Sequence, residues 1–315
     1  MKIYRDLTQL PDFNNAVLTI GSFDGVHCGH QHIIEQLSNI ARKIGGETVL
    51  LTFYPHPRIE LALQRGEKPE VRLLTTLAEK AALLEKYGID NLVVIPFNKA
   101  FSELSPDAYI QDFLVKHFQP KCIVIGYDHR FGKGRVGDID YLRKFENQYG
   151  YRLAEISPQE VDDIAVSSTK VRDAVSLGDV ALAQKLMGHP YSLSGKVIYG
   201  QQIGRTLGFP TANIAVESPY KIIPPYGIYA VLVHYQSKDY KGMLYIGDRP
   251  SLDDGMQMSI EVHIFDFELD IYHQELQLDF IDYLRADAKF DNLEALQIQL
   301  ERDRVSALHS LAEYE

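Results

Sequence analysis

The sequence predicts an α/β protein with two parts: an N-terminal doubly wound parallel sheet and a C-terminal small antiparallel β-barrel with a closing helix. Over residues 1–187, short apolar runs alternate with helical patterns, which is typical of a parallel sheet flanked by helices. Over residues 188–315, β-rich runs separated by turn residues follow one another without a long helix until about Asn292. A chain of 315 residues can form two domains with full cores, so we expect a boundary at 187/188.

The N-terminal elements alternate in the order βαβαβαβ. The predicted strands are AVLTI (16–20), TVLLTF (48–53), NLVVIPF (91–97), KCIVIG (121–126) and YRLAEI (151–156). Apolar residues at helical spacing predict helices over 30–43, 76–87 and 105–118. The last of these begins with Ser105 as a predicted N-cap and Pro106 at its first position, where helices favour proline.

The C-terminal part contains five longer β-rich runs. They are SGKVIYG (194–200), GIYAVLVHY (227–235), YKGMLYIG (240–247), SIEVHIFDF (259–267) and LQLDFIDYL (276–284). Turn residues separate these runs, and a helical pattern extends from about Asn292 to the C-terminus. This succession predicts the small barrel and its closing helix.

Composition argues against two classes of partner. The formal net charge is −11, whereas a nucleic-acid surface needs clustered Lys and Arg, so we expect no nucleic-acid partner. No run approaches the roughly 20 apolar residues that span a bilayer, and we expect no membrane partner. Cys28 and Cys122 form no CxxC pattern, and MKIYRDLTQLPDF lacks the apolar core of a signal peptide. These features favour a cytoplasmic location.

The segment GSFDGVHCGH (21–30) connects the first predicted strand to the first helix. Its three glycines, which permit a tight turn and close approach of a ligand, are Gly21, Gly25 and Gly29. The helix N-terminus that follows presents N–H groups to an anion at the carboxyl edge of the sheet, where α/β proteins bind ligands. His27 and His30 can donate hydrogen bonds to a transferring phosphoryl group. These features favour a phosphate site.

Two alternatives compete with the phosphate interpretation. His27, Cys28, His30 and His32 are all residue types that bind zinc, although structural zinc sites usually use paired ligands separated by a loop. The segment is equally compatible with a glycine-rich turn that carries surface histidines and no chemistry.

Three further segments bear on this site. TFYPHP (52–57) places Phe53 and His56 at the same edge of the sheet, and GYDHRFGKGRVGD (126–138) follows a later strand. SSTKVRD (167–173) begins a predicted helix with three hydroxyls and places Arg172 one turn inside it. That arrangement can hold terminal phosphates, and it is also the pattern of an ordinary N-cap followed by a solvated arginine.

HxGH after a strand, with SSTxxR downstream, resembles the nucleotidyltransferase superfamily. GSFDGVHCGH, TFYPHP and GxDxxFGxxxxG narrow this resemblance to the FMN adenylyltransferase module of the bacterial bifunctional riboflavin kinase/FAD synthetase family. The resemblance implies a nucleotidyltransferase domain that transfers AMP from ATP to FMN, releases pyrophosphate and uses Mg²⁺. It implies that His27 and His30 bind phosphate and stabilise the transition state.

The resemblance also implies two groups of binding residues. For ATP and its phosphates we expect Gly21, Phe23, Asp24, Gly25, Gly29, Ser167, Ser168, Thr169 and Arg172. For the flavin we expect Phe53, Pro55, His56, Pro57, Asp128 and Phe131, although Phe53 and Phe131 are equally plausible as core residues. Two positions depart from the family pattern: His129 stands where Phe is usual, and Cys28 fills the variable position of HxGH.

The segment GQQIGRTLGFPTANI (200–214) is the strongest signal in the C-terminal half. It is not a Walker A loop, because it has one residue too few between the glycines and Arg in place of Lys. A Gly/Pro-rich barrel loop would look similar. Thr211 and Asn213, however, would lie on one side of an extended chain, and their oxygens suit Mg²⁺.

A carboxylate on a later predicted strand is the second candidate. In SIEVHIF, the apolar residues Ile260, Val262 and Ile264 would share one face of the strand. Glu261 would then project from the opposite face, where it could accept the proton of a substrate hydroxyl. It could equally be a solvated strand residue, which is the commoner place for glutamate.

Most of residues 189–315 resembles riboflavin kinase. The segments that carry this resemblance are GRTLGFPTANI, PYGIYAV, YIGDRPS, IEVHIFDF and FDNLEALQIQLERD. The resemblance implies phosphorylation of riboflavin by Mg-ATP, with Thr211 and Asn213 as metal and phosphate residues and Glu261 as catalytic base. We also expect Gly204 to contact ATP and Arg249 to contact the flavin. Leu252 departs from the family pattern, because an aromatic residue is usual there.

Together the two halves predict an enzyme that makes FMN from riboflavin and FAD from FMN, with ATP as co-substrate of both steps. Its expected partners are therefore riboflavin, FMN/FAD and ATP/ADP. Two other interpretations stay open: a protein with a single one of these activities, and a catalytically silent flavin-binding regulator. The sequence does not indicate an oligomeric state.

Overall fold

The computed structural model describes residues 1–126, 129–156, 166–200, 203–250 and 256–314. The chain forms two compact units, Met1–Val71 with Leu77–Ser167, and Arg72–Thr76 with Ser168–Glu315. The helices Ser168–Ser176 and Val180–Met187 therefore group with the second unit. The domain boundary at 187/188 stays a prediction.

The first unit is built on six parallel strands in the order β1-β4-β3-β2-β5-β6. Their bounds are β1 (Lys2–Tyr4), β2 (Val17–Ile20), β3 (Thr48–Tyr54), β4 (Asn91–Pro96), β5 (Cys122–Gly126) and β6 (Arg152–Ile156). The chain builds outward from β2 first through β3 and β4 and then through β5 and β6. This reversal is the mark of a doubly wound sheet, so the predicted fold class of this half is confirmed.

Helices cover both faces of the sheet. They are α1 (Cys28–Ile44), α2 (Pro57–Gln64), α3 (Leu77–Lys86), a helix over 106–118, and the short helices Lys99–Ser102, Ile139–Arg143 and Glu146–Tyr149. Ser105 Oγ caps the helix over 106–118 by accepting from the N–H of Ala108 at 3.2 Å, as predicted. The stretch Tyr109–Val115 within that helix has π-helical hydrogen bonding, which its apolar pattern does not reveal.

Alternate residues of the strands belong to two separate cores. Leu18 and Leu51 face the core covered by the helix over 106–118, whereas Val17 and Leu50 face the core that receives α1 and α3. All four side chains come from the central strands β2 and β3 and are fully buried. Burial on both faces explains why the strands appear in the sequence as continuous apolar runs rather than alternating ones.

β1, α2 and the three short helices of the first unit were not predicted. β1 has three residues, and none of them is buried, so it carries no apolar run. α2 begins directly after the Pro-His-Pro sequence: Pro57 is its first residue, and His56 Nδ1 accepts from the Arg58 N–H at 3.2 Å. Proline is favoured at this first position because its missing N–H would have no partner within the helix.

The second unit contains a closed antiparallel barrel in the order β10-β11-β8-β7-β12-β9. Its strands are β7 (Tyr191–Ile198), β8 (Ala212–Ala215), β9 (Gly227–Tyr235), β10 (Lys238–Pro250), β11 (Met256–Ile264) and β12 (Glu275–Arg285). A one-turn helix, Ile203–Thr206, precedes β8, and the helix Leu293–Ser310 ends the unit with Asn292 as its N-cap. The predicted barrel and closing helix are confirmed, and β8 is added to the five predicted runs.

Within the described residues, no helix combines the length and the apolar character that crossing a membrane requires.

The segment Arg72–Thr76 is attached to the barrel unit by backbone pairing. Leu73 N–H donates to the Tyr220 carbonyl at 2.7 Å, and Ile222 N–H donates to the Leu73 carbonyl at 3.0 Å. The buried Lys221 ammonium donates to the carbonyls of Leu74 and Ser192 at 2.7 and 2.6 Å. A segment that lies between α2 and α3 in sequence is thus anchored in the second unit.

A histidine between two carboxylates links three strands of the barrel. His234 Nδ1 lies 2.7 Å from Asp239 Oδ1, and its Nε2 lies 2.9 Å from Asp279 Oδ2. Asp279 also accepts from Ser192 Oγ at 2.7 Å. The hydrogen bond with Asp279, opposed by partial burial and supported by Asp239, raises the pKa of His234 to about 9.

We expect His234→Gln to destabilise the protein at pH 6 and to change its stability little at pH 10. Because the folded-state pKa lies above the ordinary value of 6.5, the imidazolium stabilises the fold fully below pH 6.5, and this contribution is lost as the pH rises through about 9. The expected loss at pH 6 is about 1–2 kcal/mol, since Asp239 is exposed. Urea unfolding followed by circular dichroism at the two pH values measures it. The exposed His309→Gln is the control, and an equal loss at both pH values would contradict the prediction.

Candidate active sites

The turn after β2 has an unusual backbone. Gly25 has φ 84°, and the two non-glycine residues Phe23 and Val26 also have positive φ, at 46° and 38°. A β-branched residue such as valine rarely adopts this conformation. The N–H of Gly21 donates to the Leu51 carbonyl of β3 at 3.0 Å, so the turn starts from the sheet itself.

His27 and His30 are brought together at the end of this turn. Their rings stack with centroids 3.7 Å apart and an interplanar angle of 18°. His30 also packs against Phe23, with centroids 4.8 Å apart. His27 is the buried N-cap residue of α1, and its carbonyl accepts from the Gln31 N–H at 3.0 Å. Two imidazoles are thereby placed beside the N-terminus of a 17-residue helix.

The zinc alternative finds no support in this geometry. Within the described ranges, no three His, Cys, Asp or Glu side chains are arranged to hold a metal ion. The two histidines contact each other by their faces, whereas zinc ligands direct ring nitrogens to a common centre.

The other residues expected near this turn lie in several settings. Asp24 is buried, with 1% of its surface exposed. Phe53 packs edge-on against Phe97, with centroids 5.6 Å apart. Pro55 follows a cis peptide bond with Tyr54, and His56 and Pro57 form the start of α2.

The loop after β5 is held against the helix over 106–118. Phe131 is buried and stacks on Tyr109 with centroids 4.7 Å apart, while His129 stacks on Phe131 at 6.0 Å. The N–H of Lys133 donates to the Leu104 carbonyl at 2.7 Å. Asp128 lies outside the described residues. His129 therefore extends an aromatic stack at the position where the family pattern has Phe.

The hydroxyl segment leads into the helix Ser168–Ser176, and Ser167 precedes it. Arg172 Nε donates to the Arg72 carbonyl at 2.6 Å. Ser168, Thr169 and Arg172 group with the second unit, whereas His27 and His30 belong to the first. Their participation in one phosphate site stays a prediction.

The barrel brings the three residues predicted for the second site into one hydrogen-bonded cluster. Glu261 of β11 is paired in register with Asn213 of β8. Thr211 Oγ1 donates to Glu261 Oε2 at 3.1 Å, and Ser259 Oγ donates to Glu261 Oε1 at 2.8 Å. Ser259 Oγ also lies 3.5 Å from Asn213 Oδ1. The cluster supplies hydroxyl, amide and carboxylate oxygens, which are the donor types that Mg²⁺ prefers.

Two backbone segments, at Gly200 and in the loop before Thr211, pack closely around the cluster. A Cβ atom on Gly200 would lie 2.2 Å from Asn213 Nδ2, so only glycine fits there while Asn213 keeps its position. The Gly204 carbonyl accepts from the Phe209 N–H at 2.8 Å, which folds the loop before Thr211. Arg249 lies in β10, but its side chain and the departure at Leu252 lie outside the described residues.

Two cavities of the second unit border this cluster. A cavity of about 750 Å³ is lined by Asn213 and Ser259 together with apolar residues and the charged residues Arg72 and Lys221. A cavity of about 180 Å³ is lined by Thr211, Arg205 and Tyr272. The larger volume is in the range of known ligand pockets.

Sequence reasoning missed two residues of these sites. Ser259 could have been found, because it lies two residues before Glu261 and therefore on the same face of a strand. Lys80 of α3 could not, since lysine in a helix is usually exposed, yet here only 6% of it is. Its Nζ donates to Thr52 Oγ1 at 3.3 Å.

A strand-to-helix turn with paired histidines on a parallel sheet, followed by a barrel that holds a carboxylate beside Thr and Asn, defines a two-site transferase of phosphorus-containing groups. Comparison with known families shows which transferase family this chain belongs to. The FAD synthetase family matches residues 10–170, and the riboflavin kinase family matches residues 187–311. The chain belongs to the family of bifunctional riboflavin kinase/FMN adenylyltransferases, and the predicted resemblance is confirmed.

Individual relatives agree over nearly the full chain. The bifunctional riboflavin kinase/FMN adenylyltransferase of Listeria monocytogenes is 38% identical over 92% of this chain and 90% of its own length. That of Escherichia coli (strain K12) is 36% identical over 98% of this chain and 97% of its own length. A crystal structure described as a macrolide-efflux protein from Streptococcus pneumoniae has a TM-score of 0.83 and 29% identity, and the match covers 97% of this chain and 98% of that one.

Proposed function

We propose that this enzyme phosphorylates riboflavin to FMN in its barrel and adenylylates FMN to FAD in its α/β unit. The observation that carries this division is that each of the two matched families coincides with its own cluster of polar side chains, His27 with His30 in the first and Glu261 with Thr211 and Asn213 in the second. ATP is the co-substrate of both reactions, and we propose that both take place in the cytoplasm.

In the barrel, Glu261 is the proposed base. The hydroxyls of Thr211 and Ser259 donate to its two carboxylate oxygens, which fixes the orientation of the carboxylate. Glu261 then accepts the proton of the ribityl 5′-hydroxyl as that oxygen attacks the γ-phosphorus of ATP. The cavity of about 750 Å³ beside the cluster is large enough for a substrate, whereas the cavity of about 180 Å³ is smaller than known ligand pockets.

The oxygens of Thr211, just before β8, and of Asn213, on β8, fit Mg²⁺, because they are hard donors held beside the Glu261 carboxylate. Bound together with ATP, Mg²⁺ neutralises charge on the phosphates. We propose that Thr211 and Asn213 hold it, with Gly204 at the phosphates of ATP and Arg249 at the flavin.

In the α/β unit, a phosphate oxygen of FMN attacks the α-phosphorus of ATP, and pyrophosphate leaves. No covalent enzyme intermediate is required, so positioning and charge stabilisation can supply most of the catalysis. We propose that His27 and His30 donate hydrogen bonds to the oxygens of the reacting phosphorus, next to the N-terminus of α1. Ser167, Ser168, Thr169 and Arg172 are proposed to hold the terminal phosphates, and Asp128 with the aromatic residues near β3 to contact the flavin.

A time course tests the assignment directly. Riboflavin, ATP and Mg²⁺ are incubated with the protein, and the flavins are separated by chromatography. FMN that appears first and is followed by FAD would support both activities. FMN alone would indicate a single-activity kinase and direct attention to His129. If neither forms, FMN is supplied: FAD then indicates an adenylyltransferase with a silent barrel, and no product favours the flavin-binding regulator.

We expect His30→Ala to lower FAD formation from FMN by about 100-fold or more, because it removes a donor to the charge that develops on phosphorus. Riboflavin phosphorylation in the same protein should stay within about twofold, since its proposed residues belong to the barrel. His32→Ala, on the same helix, is the matched control. Equal loss of both activities in a folded variant would argue against two separate sites.

Glu261→Gln should have the converse effect. The amide keeps the shape of the side chain but cannot accept the proton, so we expect riboflavin phosphorylation to fall by about 100-fold or more while FAD formation from added FMN persists. Glu275→Gln at the exposed start of β12 is the control. A near-normal rate of riboflavin phosphorylation would show that Glu261 is not the base.

Removal of one proposed metal ligand should shift the Mg²⁺ requirement of one reaction. We expect Asn213→Ala to raise the Mg²⁺ concentration for half-maximal riboflavin phosphorylation by about 10-fold or more, because one of two oxygen ligands is lost. The requirement for FAD formation, measured in the same preparation, should not move. A shift in both requirements, or in neither, would contradict this role for Asn213.

A further inference from the structure

A buried lysine lies next to the histidine turn. Lys80 of α3 is 6% exposed, Asp24 of the turn is 1% exposed, and Thr52 of β3 is fully buried. Lys80 Nζ donates to Thr52 Oγ1 at 3.3 Å, and Thr52 Oγ1 donates to the carbonyl of Ser22 at 3.2 Å. The chain of hydrogen bonds therefore runs from a helix on the surface of the sheet, through a central strand, to the backbone of the turn.

The charges of Lys80 and Asp24 depend on each other. A buried ammonium or carboxylate is costly unless an opposite charge compensates it. Burial lowers the pKa of Lys80 to about 8, and the attraction of Asp24 acts in the opposite direction. A buried pair of this kind adds little stability compared with apolar side chains of similar size, because desolvation offsets the attraction. Stability alone therefore does not explain why the protein buries these two charged side chains.

The strained backbone of the turn explains the burial of these two charges better. Phe23 and Val26 have φ values of 46° and 38°, a conformation that costs free energy and persists only where surrounding contacts hold it. Asp24 lies between these two residues, and Ser22, whose carbonyl accepts from Thr52, precedes them. His27 follows the strained segment directly, and its ring stacks on His30. A shift of the turn would displace both imidazoles.

We propose that Lys80 and Asp24 are a positioning pair for adenylyl transfer: the Lys80 ammonium, through Asp24 and Thr52, holds the turn Gly21–His27 in the conformation that presents His27 and His30 to the reacting phosphorus. The inference rests on the proposed FAD-forming function of this unit. Neither Lys80 nor Asp24 needs to touch the reacting atoms, because their effect passes through the backbone of the turn.

The pair makes FAD formation sensitive to one charge. Among the described residues, Thr52 of β3 accepts from Lys80, the charge of Asp24 in the turn acts on it, and Glu79 is its buried neighbour on α3. As the pH rises above about 8, Lys80 loses its proton, and the attraction between its ammonium and Asp24 is lost. The rate of FAD formation should then fall, while riboflavin phosphorylation by the barrel of the same protein provides an internal reference.

The experiment compares Lys80→Met, Asp24→Asn and the double variant with the unaltered protein. FAD formation from FMN and ATP is measured between pH 6.5 and 9.5, with kcat and KM determined separately. We expect each single variant to lower kcat by about 10-fold or more with a smaller change in KM, since misplaced histidines weaken the transition state more than substrate binding. The double variant should lose less than the product of the two single losses, because each single variant already removes the same attraction between Lys80 and Asp24. Its rate should also lack the decline above pH 8.

The controls separate this proposal from the function on which it rests. Lys86→Met, at the exposed end of α3, should match the unaltered protein. If the unaltered protein forms no FAD, the proposed function fails. If it does form FAD, then independent losses that multiply in the double variant, or full activity of Lys80→Met, would overturn the positioning pair. If Lys80→Met does not fold, the pH profiles of the unaltered protein and the double variant decide, and identical profiles would overturn the proposal.

Discussion

The register of hydrogen-bonded strands is the constraint on which both sites depend. In the α/β unit, β2 pairs in parallel with β3 and β5, and all three strands end at the same edge of the sheet. The N–H of Gly21 continues this pairing to Leu51. The turn that carries the two histidines is therefore attached to the most buried part of the unit, and it cannot move without disturbing the sheet. A slip by one residue would exchange the two cores, since alternate residues face opposite sides.

Register acts in the barrel in a different way. Antiparallel pairing places Glu261 directly opposite Asn213, although 48 residues separate them in sequence. Ser259, two residues before Glu261 on the same face of β11, reaches both residues. The cluster is thus a cross-strand pair extended by two hydroxyls, Ser259 on β11 and Thr211 just before β8, and the pairing of β8 with β11 assembles it.

The strained turn and the buried Lys80 illustrate a common arrangement at functional sites. Residues in unfavourable backbone conformations persist where the surrounding structure holds them, and they concentrate where a side chain must point in a particular direction. Here Lys80 of α3 donates to Thr52 of β3, Thr52 donates to the backbone of the turn, and the stacked imidazoles lie at the end of the turn. A stable fold alone does not require this geometry, which is why it indicates chemistry.

Patterns local in sequence were enough to predict much of this protein. Continuous apolar runs predicted the strands of the parallel sheet, because strands buried on both faces consist mostly of apolar residues, and the alternation around Glu261 predicted which side of β11 is polar. The motifs at 21–30 and 200–214 predicted the two families. The three-residue β1 and the helix α2 were missed, since neither leaves a strong apolar pattern.

Short-range signals identify elements and motifs, and they do not identify partners that are distant along the chain. Only the tertiary structure decided that Ser259 joins the carboxylate cluster, that Lys80 is buried against Thr52, and that Arg72–Thr76 is anchored in the barrel unit. Burial and long-range hydrogen bonds arise from the packing of whole elements, and packing is a property of the folded chain rather than of any one segment.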